Sequence, residues 1–165
     1  MSIVFNIAKQ RLMNGLLDLD SDTIKVSLAN NTYTAPSDAA FADYDTLAAI
    51  YTGTILQEAT GTGYTGGAGG SGRKTLASVS VDVDDANNRS VFKAADVLWD
   101  DGPGISAGTI QGALVYEHGS GSDDSLNIPI CWVNTGGFPI VTNGGSLKIK
   151  WAENASGIGV VIILS

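Results

Sequence analysis

Cysteine and histidine are nearly absent from this chain, with Cys131 and His118 the single example of each. One cysteine excludes an intrachain disulfide. Cys131 lies in the apolar run Ile128-Pro-Ile-Cys-Trp-Val133, where a free thiol reads as a small core residue. A cysteine nucleophile needs an imidazole beside it. His118 is the sole candidate, and no motif surrounds either residue. Basic residues are also sparse: nine lysines and arginines stand against seventeen acids, for a formal charge of −8. They are scattered from Lys9 to Lys150 without forming a stripe. A nucleic-acid groove is therefore not expected, and an acidic surface opposes anionic lipid. The longest apolar run, Ile158 to Leu164, is broken by Gly159. It is far too short to span a bilayer and reads as a buried strand. No charged start followed by an apolar core marks a signal peptide.

Apolar residues make up 44% of the chain. That is enough for one domain with a real core over residues 1–165. Residues 1–15 carry the N-terminal helix, expected over 3–14. Val4, Ile7, Ala8, Arg11 and Leu12 recur at helical spacing, and Phe5 and Met13 widen that stripe. Ser2 is placed to cap this helix and Gly15 to stop it. Ile24, Val26 and Leu28 then alternate with polar residues as a half-buried strand. Pro36 to Phe41 and Leu47 to Ile50 suggest short helical turns, and Thr54 to Gln57 a brief strand. After residue 75 the alternation becomes steady. Val79, Val81 and Val83 oppose Ser78, Ser80 and Asp82, and segments beginning at Ser90, Ile110, Leu126 and Ser146 follow. Seven or eight strands with polar turns predict a mainly β domain, an antiparallel β-sandwich or jelly-roll-like fold with an N-terminal amphipathic helix.

Glycine is abundant, most of all in the run from Gly61 to Gly72, which ends at Arg73-Lys-Thr75. Gly67 and Gly72 have the separation of a phosphate-binding loop, but Arg73 takes the lysine place and a strand follows where a helix is needed. The run reads instead as a flexible surface loop, with Tyr64 and Ala68 as its apolar anchors. Asp18, Asp20 and Asp22 mimic a calcium loop, yet Thr23 and Ala29 stand where glycine and glutamate are required. They read as a solvated turn. Asp82, Asp84 and Asp85 form a second acidic group without defined partners. No Asp or Glu is expected in an apolar setting, and Glu117 and His118 read as a solvated strand end. No Gly-x-Ser-x-Gly elbow occurs. Trp99, Trp132, Trp151 and Tyr116 fall within strand patterns and read as core. No catalytic, metal or cofactor residue is assigned.

Several segments, in order, resemble a family of small virion structural proteins of tailed bacteriophages. They include Val4-Phe-Asn6, Asp18-Leu-Asp-Ser-Asp-Thr-Ile-Lys-Val26, Tyr33-Thr34 and Gly61-Thr-Gly-Tyr-Thr65. They continue with Lys74-Thr-Leu-Ala77, Val83-Asp-Asp85, Phe92-Lys-Ala94, Asp96-Val97 with Trp99, Val115-Tyr116, and Asn143-Gly-Gly145 with Trp151. The chain departs from that family in the extra glycines and Arg73 before Lys74. The resemblance implies a non-enzymatic head decoration or cement protein. Such a protein is made in the host cytoplasm and seated on the outer surface of the head, where it bridges subunits of the major capsid protein. A homo-oligomer, with a trimer favoured, suits such a lattice. The alternative is a tail- or fibre-associated module binding a protein or glycan. On the head-decoration reading the helix and the glycine loop are the docking parts, with Val4, Phe5, Ile7, Ala8, Arg11, Leu12 and Tyr64 as the expected protein interface. Deleting residues 2–14 is expected to abolish attachment and leave a folded β domain.

Overall fold

The computed structural model describes residues 2–31, 37–51, 55–100, 102, 104–153 and 158–164. In chain order these form β1 (Ser2–Val4), α1 (Asn6–Met13), β2 (Ile24–Ala29), α2 (Asp38–Ala42), α3 (Leu47–Tyr51), β3 (Lys74–Thr75), β4 (Ser80–Asp84) and β5 (Arg89–Ala95). Then come β6 (Val97–Trp99), β7 (Thr109–Ile110), β8 (Gly112–Glu117), β9 (Ile128–Val133), β10 (Ile140–Val141), β11 (Leu147–Ile149), β12 (Ala152–Glu153) and β13 (Ile158–Leu164). The fold is mainly β, with antiparallel sheets and an N-terminal helix, as the alternation predicts.

The central sheet has five strands in the order β1-β9-β8-β2-β3, all antiparallel. Strand β8 is buried on both faces, which explains why Ala113 to Tyr116 are all apolar. Ala113 and Val115 face the larger core, where they join Phe92, Ala94, Trp99, Leu147 and Ile149 from the smaller sheets and Trp151 from the link between β11 and β12. Leu114 and Tyr116 face a second core with Phe5, Phe41, Leu47, Ile50 and Trp132. The central sheet is thus covered by β structure on one side and by α2 and α3 on the other.

Helix α1 begins later than the periodicity suggests. Residues 2–4 pair with β9 as an edge strand, Ile3 opposite Trp132. Phe5, not Ser2, is the N-cap, and it makes no side-chain cap. Alternating Ile3 and Phe5 insert into the second core, so tertiary burial overrides the helical spacing. The helix stop is as expected. Gly15 has φ +64°, its amide reaches the Leu12 carbonyl at 3.2 Å, and the Leu16 amide reaches that of Arg11 at 2.8 Å. This paired closure requires the left-handed residue that glycine adopts without strain. Ser37 caps α2 by accepting from the Ala40 amide at 3.1 Å. Pro36 and Thr54, named in the expectations for this region, lie outside the described residues, as does Tyr33.

One strand departs from its pattern. Val81 and Val83 of β4 are exposed, although alternation predicts an inward face. Strand β4 is the last in the sheet ordered β12-β13-β5-β4, and the core ends beneath Phe92, which stands opposite Val81.

Candidate functional site, a buried arginine clamp beneath the glycine-rich loop

The glycine run, read from the sequence as a flexible surface loop, is tied down by bonds within the chain itself. Gly61 and Tyr64 exchange backbone hydrogen bonds at 2.9 and 3.1 Å, and the Gly72 amide donates to the Thr65 carbonyl at 3.0 Å. The turns wrap around Tyr64, whose side chain is fully buried. Its hydroxyl accepts from the Leu28 amide at 2.9 Å and donates to Glu58 Oε1 at 3.2 Å. Gly72 lies flat on the Tyr64 ring, where a Cβ would come within 2.6 Å of ring carbons. The carbonyl of Gly72 accepts from Trp99 Nε1 at 2.6 Å. Much of the glycine content is therefore close approach to Tyr64 and to neighbouring backbone.

The run leads directly into Arg73, whose side chain is only 2% exposed. Its guanidinium grips two carboxylates at once. Nε donates to Glu58 Oε1 at 2.8 Å and Nη2 to Glu58 Oε2 at 2.6 Å. Nη1 donates to Asp124 Oδ1, and Nη2 to Asp124 Oδ2 at 2.9 Å. The rings of Tyr51 and Tyr116 flank it, with centroids 5.6 and 5.4 Å from Cζ. Both forks have the bidentate geometry that arginine alone provides.

The carboxylates are held in turn. Glu58 Oε2 accepts from the Gly67 amide at 2.8 Å. Asp124 Oδ1 accepts from Asn127 Nδ2 at 2.9 Å. The Asn127 side-chain oxygen accepts from the Gly119 amide at 3.0 Å and lies 3.1 Å from His118 Nδ1. One network thus links the segment before the glycine run, the run itself and the loop between β8 and β9. Burial pulls the Arg73 pKa down, but hydrogen bonds to Glu58 and Asp124 outweigh it and the group is held above its ordinary value. For Asp124 burial pushes up, and the bonds from Arg73 and Asn127 bring the carboxyl below its ordinary value. Burial raises the Tyr116 phenol to about 12 against the pull of Arg73, and Tyr51 and Tyr64 are raised mainly by burial.

The chain matches no protein-family model, no curated protein and no solved structure.

Chemically, the cluster is closed. A guanidinium stays protonated in proteins, and here its donors are directed to two carboxylates that would otherwise be candidate acids or bases. The arrangement fixes three chain segments. Glu58 and Asp124 correct the expectation that no acid sits in an apolar setting, since their side chains are 9% and 19% exposed. Glu117 is likewise drawn in, gripped by Arg11 Nε at 3.1 Å and Nη2 at 2.9 Å. The sequence offered little sign of these pairings, because the partners of Arg73 lie in loops 15 and 51 residues away.

The residues expected at a protein interface are dispersed by burial. Phe5, Ala8 and Tyr64 are inside the chain's own core, which removes them from any outer contact face. Val4 and Leu12 are half-buried against the larger core, and Ile7 packs on the second. Arg11 is committed to Glu117. Cys131 is fully buried, and burial raises its thiol to about 12. His118 has Asn127 and the Tyr116 ring as neighbours. Asp18, Asp20 and Asp22 form a turn in which the Asp18 amide donates to Asp22 Oδ2 at 2.7 Å.

Proposed function

We propose that the chain is a non-enzymatic virion structural protein of a tailed bacteriophage, a head decoration or cement protein that bridges major capsid subunits. The ordered series of family-like segments from Val4 to Trp151 motivates this reading. The structural observation that carries it is the position of the exposed apolar side chains. Met13 and Leu16, at 81% and 59% exposure, flank the Gly15 stop of α1, and Val141 is 73% exposed on β10. Single exposed apolar side chains are ordinary, and a cluster of them marks a contact site. Met13 and Leu16, three residues apart at one helix end, therefore carry most of the weight. Repeated over a lattice, modest contacts of this kind sum to firm seating. The contact end of α1 is therefore its C-terminal tip, and its inner face belongs to the fold.

Truncating residues 2–14 no longer tests docking cleanly, since it removes β1 and Phe5 from the second core. The sharper variant is Met13→Asp with Leu16→Asp, added to undecorated heads. Attachment is expected to fall while circular dichroism stays unchanged; full occupancy by the variant rejects docking through this tip. The tail or glycan-binding alternative needs exposed aromatic platforms. Trp99, Trp132, Trp151 and Tyr116 are buried, so no observation among the described tryptophans favours it.

A further inference from the structure

We propose that this chain self-associates head to tail, strand β4 of one copy adding antiparallel to β11 of the next. Each strand has one flank without a strand partner among the described residues. Strand β4 ends its sheet beside β5, and β11 pairs only with β6. Along β11 runs a groove of about 470 Å³ lined by Phe138, Ile140, Lys148, Ile149, Lys150 and Trp151. Addition of a strand to an open sheet edge is a common mode of protein association, with pockets for alternate side chains setting specificity.

The side-chain patterns of the two edges are complementary. Residues 81–84 read Val-Asp-Val-Asp and residues 148–151 read Lys-Ile-Lys-Trp. An antiparallel register places Val81 opposite Trp151, Asp82 opposite Lys150, Val83 opposite Ile149, and Asp84 opposite Lys148. Every aspartate then meets a lysine and every valine an apolar partner. Strand β11 ends at Ile149, so Lys150 and Trp151 extend the register two residues past it. Like residues in both segments are two apart, roughly 6.8 Å where the chain is extended, which lets the two charge pairs match. Opposite charges across a ladder stabilise, and like charges directly opposed destabilise. Face-matched pairing of β4 with another β4 sets aspartate against aspartate, and β11 with β11 sets lysine against lysine. The charges therefore select the heterologous contact over either symmetric one.

The energetic motive is the exposed valine face of β4, with Val81 at 47% and Val83 at 72%. Asp82 and Asp84 already pair with Lys93 and Arg89 at 2.8 and 2.7 Å, which keeps them ionised. Lys148 holds Asp96 at 2.7 Å with its side chain 46% exposed, and an ammonium has three donors, so a second carboxylate is accommodated. Heterologous contacts close into rings or run on as open chains. The association is read on purified protein, so it stands or falls independently of any virion role.

The test is sedimentation equilibrium at low salt, comparing the wild type with D82K/D84K and K148D/K150D. The wild type is expected to rise above its monomer mass of 17.0 kDa as concentration increases, and to fall back as salt screens the pairs. Each double variant alone opposes like charges and is expected to associate at least roughly tenfold more weakly. An equimolar mixture should recover, because a lysine strand then meets an aspartate groove and an aspartate strand meets a lysine groove. Val83→Arg, at an exposed position, gives a second block with no burden on the fold, which circular dichroism checks. A wild type that stays monomeric up to millimolar concentration overturns the inference. Variants that associate like the wild type, or a mixture without recovery, overturn it equally.

Discussion

Replacing Arg73 by methionine keeps the length and apolar stem of the side chain and removes the guanidinium. Four hydrogen bonds to Glu58 and Asp124 disappear. Glu58 retains the Gly67 amide and the Tyr64 hydroxyl, and Asp124 retains Asn127. Two carboxylates are left with little or partial access to water. Breaking a buried ion pair from one side costs about 3–5 kcal/mol, and the 19% exposure of Asp124 places the expectation near ~3 kcal/mol. In a chain of this size that lowers Tm by about 6–12 °C. Urea unfolding followed by tryptophan fluorescence measures the loss directly. R73K, which keeps the charge without the two forks, should fall between. R73M/E58Q/D124N should recover part of the loss, because no ionised carboxylate then remains buried. The loss should also shrink at acid pH. Asp124 has a lowered pKa in the folded protein, so its contribution is present above the ordinary carboxylate value and is lost as pH falls through the folded one. R73M within about 0.5 kcal/mol of the wild type at neutral pH would refute the clamp as a structural element.

Gly72→Ala forces a Cβ to within 2.6 Å of the Tyr64 ring and should cost about 1–3 kcal/mol, read as a drop in urea midpoint. Gly112→Ala, whose Cβ would meet Trp132 at 2.4 Å, should show a similar loss with a change in tryptophan emission. Cys131, buried and with its thiol raised to about 12, should not react with a thiol reagent in the native state and should react at once in denaturant. Glu117→Gln removes the charge from a carboxylate that is 16% exposed, while its partner Arg11 is 26% exposed. It should cost about 1–3 kcal/mol, at or below the loss in R73M, by the same unfolding assay.

Local pattern made the fold class legible. Alternation in Ile24 to Leu28 produced β2, the apolar run around Cys131 produced β9, and Gly15 closed α1 by the expected backbone bonds. Patterns failed where long-range packing decides. Ile3 and Phe5 fit a helical stripe and a strand equally well, and the second core selected the strand. Val81 and Val83 alternate like core residues, but alternation cannot reveal that nothing among the described residues buries them at the sheet edge. The clamp was hidden for a similar reason. Arg73 carries no local mark of burial, and the carboxylates that permit it come from separate loops. The glycine run drew attention to a loop, and its density follows in part from the room Tyr64 occupies beneath it.

Imaging of purified phage particles by electron cryomicroscopy tests the virion assignment most directly. The account predicts density for a 17.0 kDa domain repeated over the outer head lattice, with the α1 tip carrying Met13 and Leu16 turned toward capsid subunits. Particles that lack the chain, or that carry it at the tail alone, contradict it.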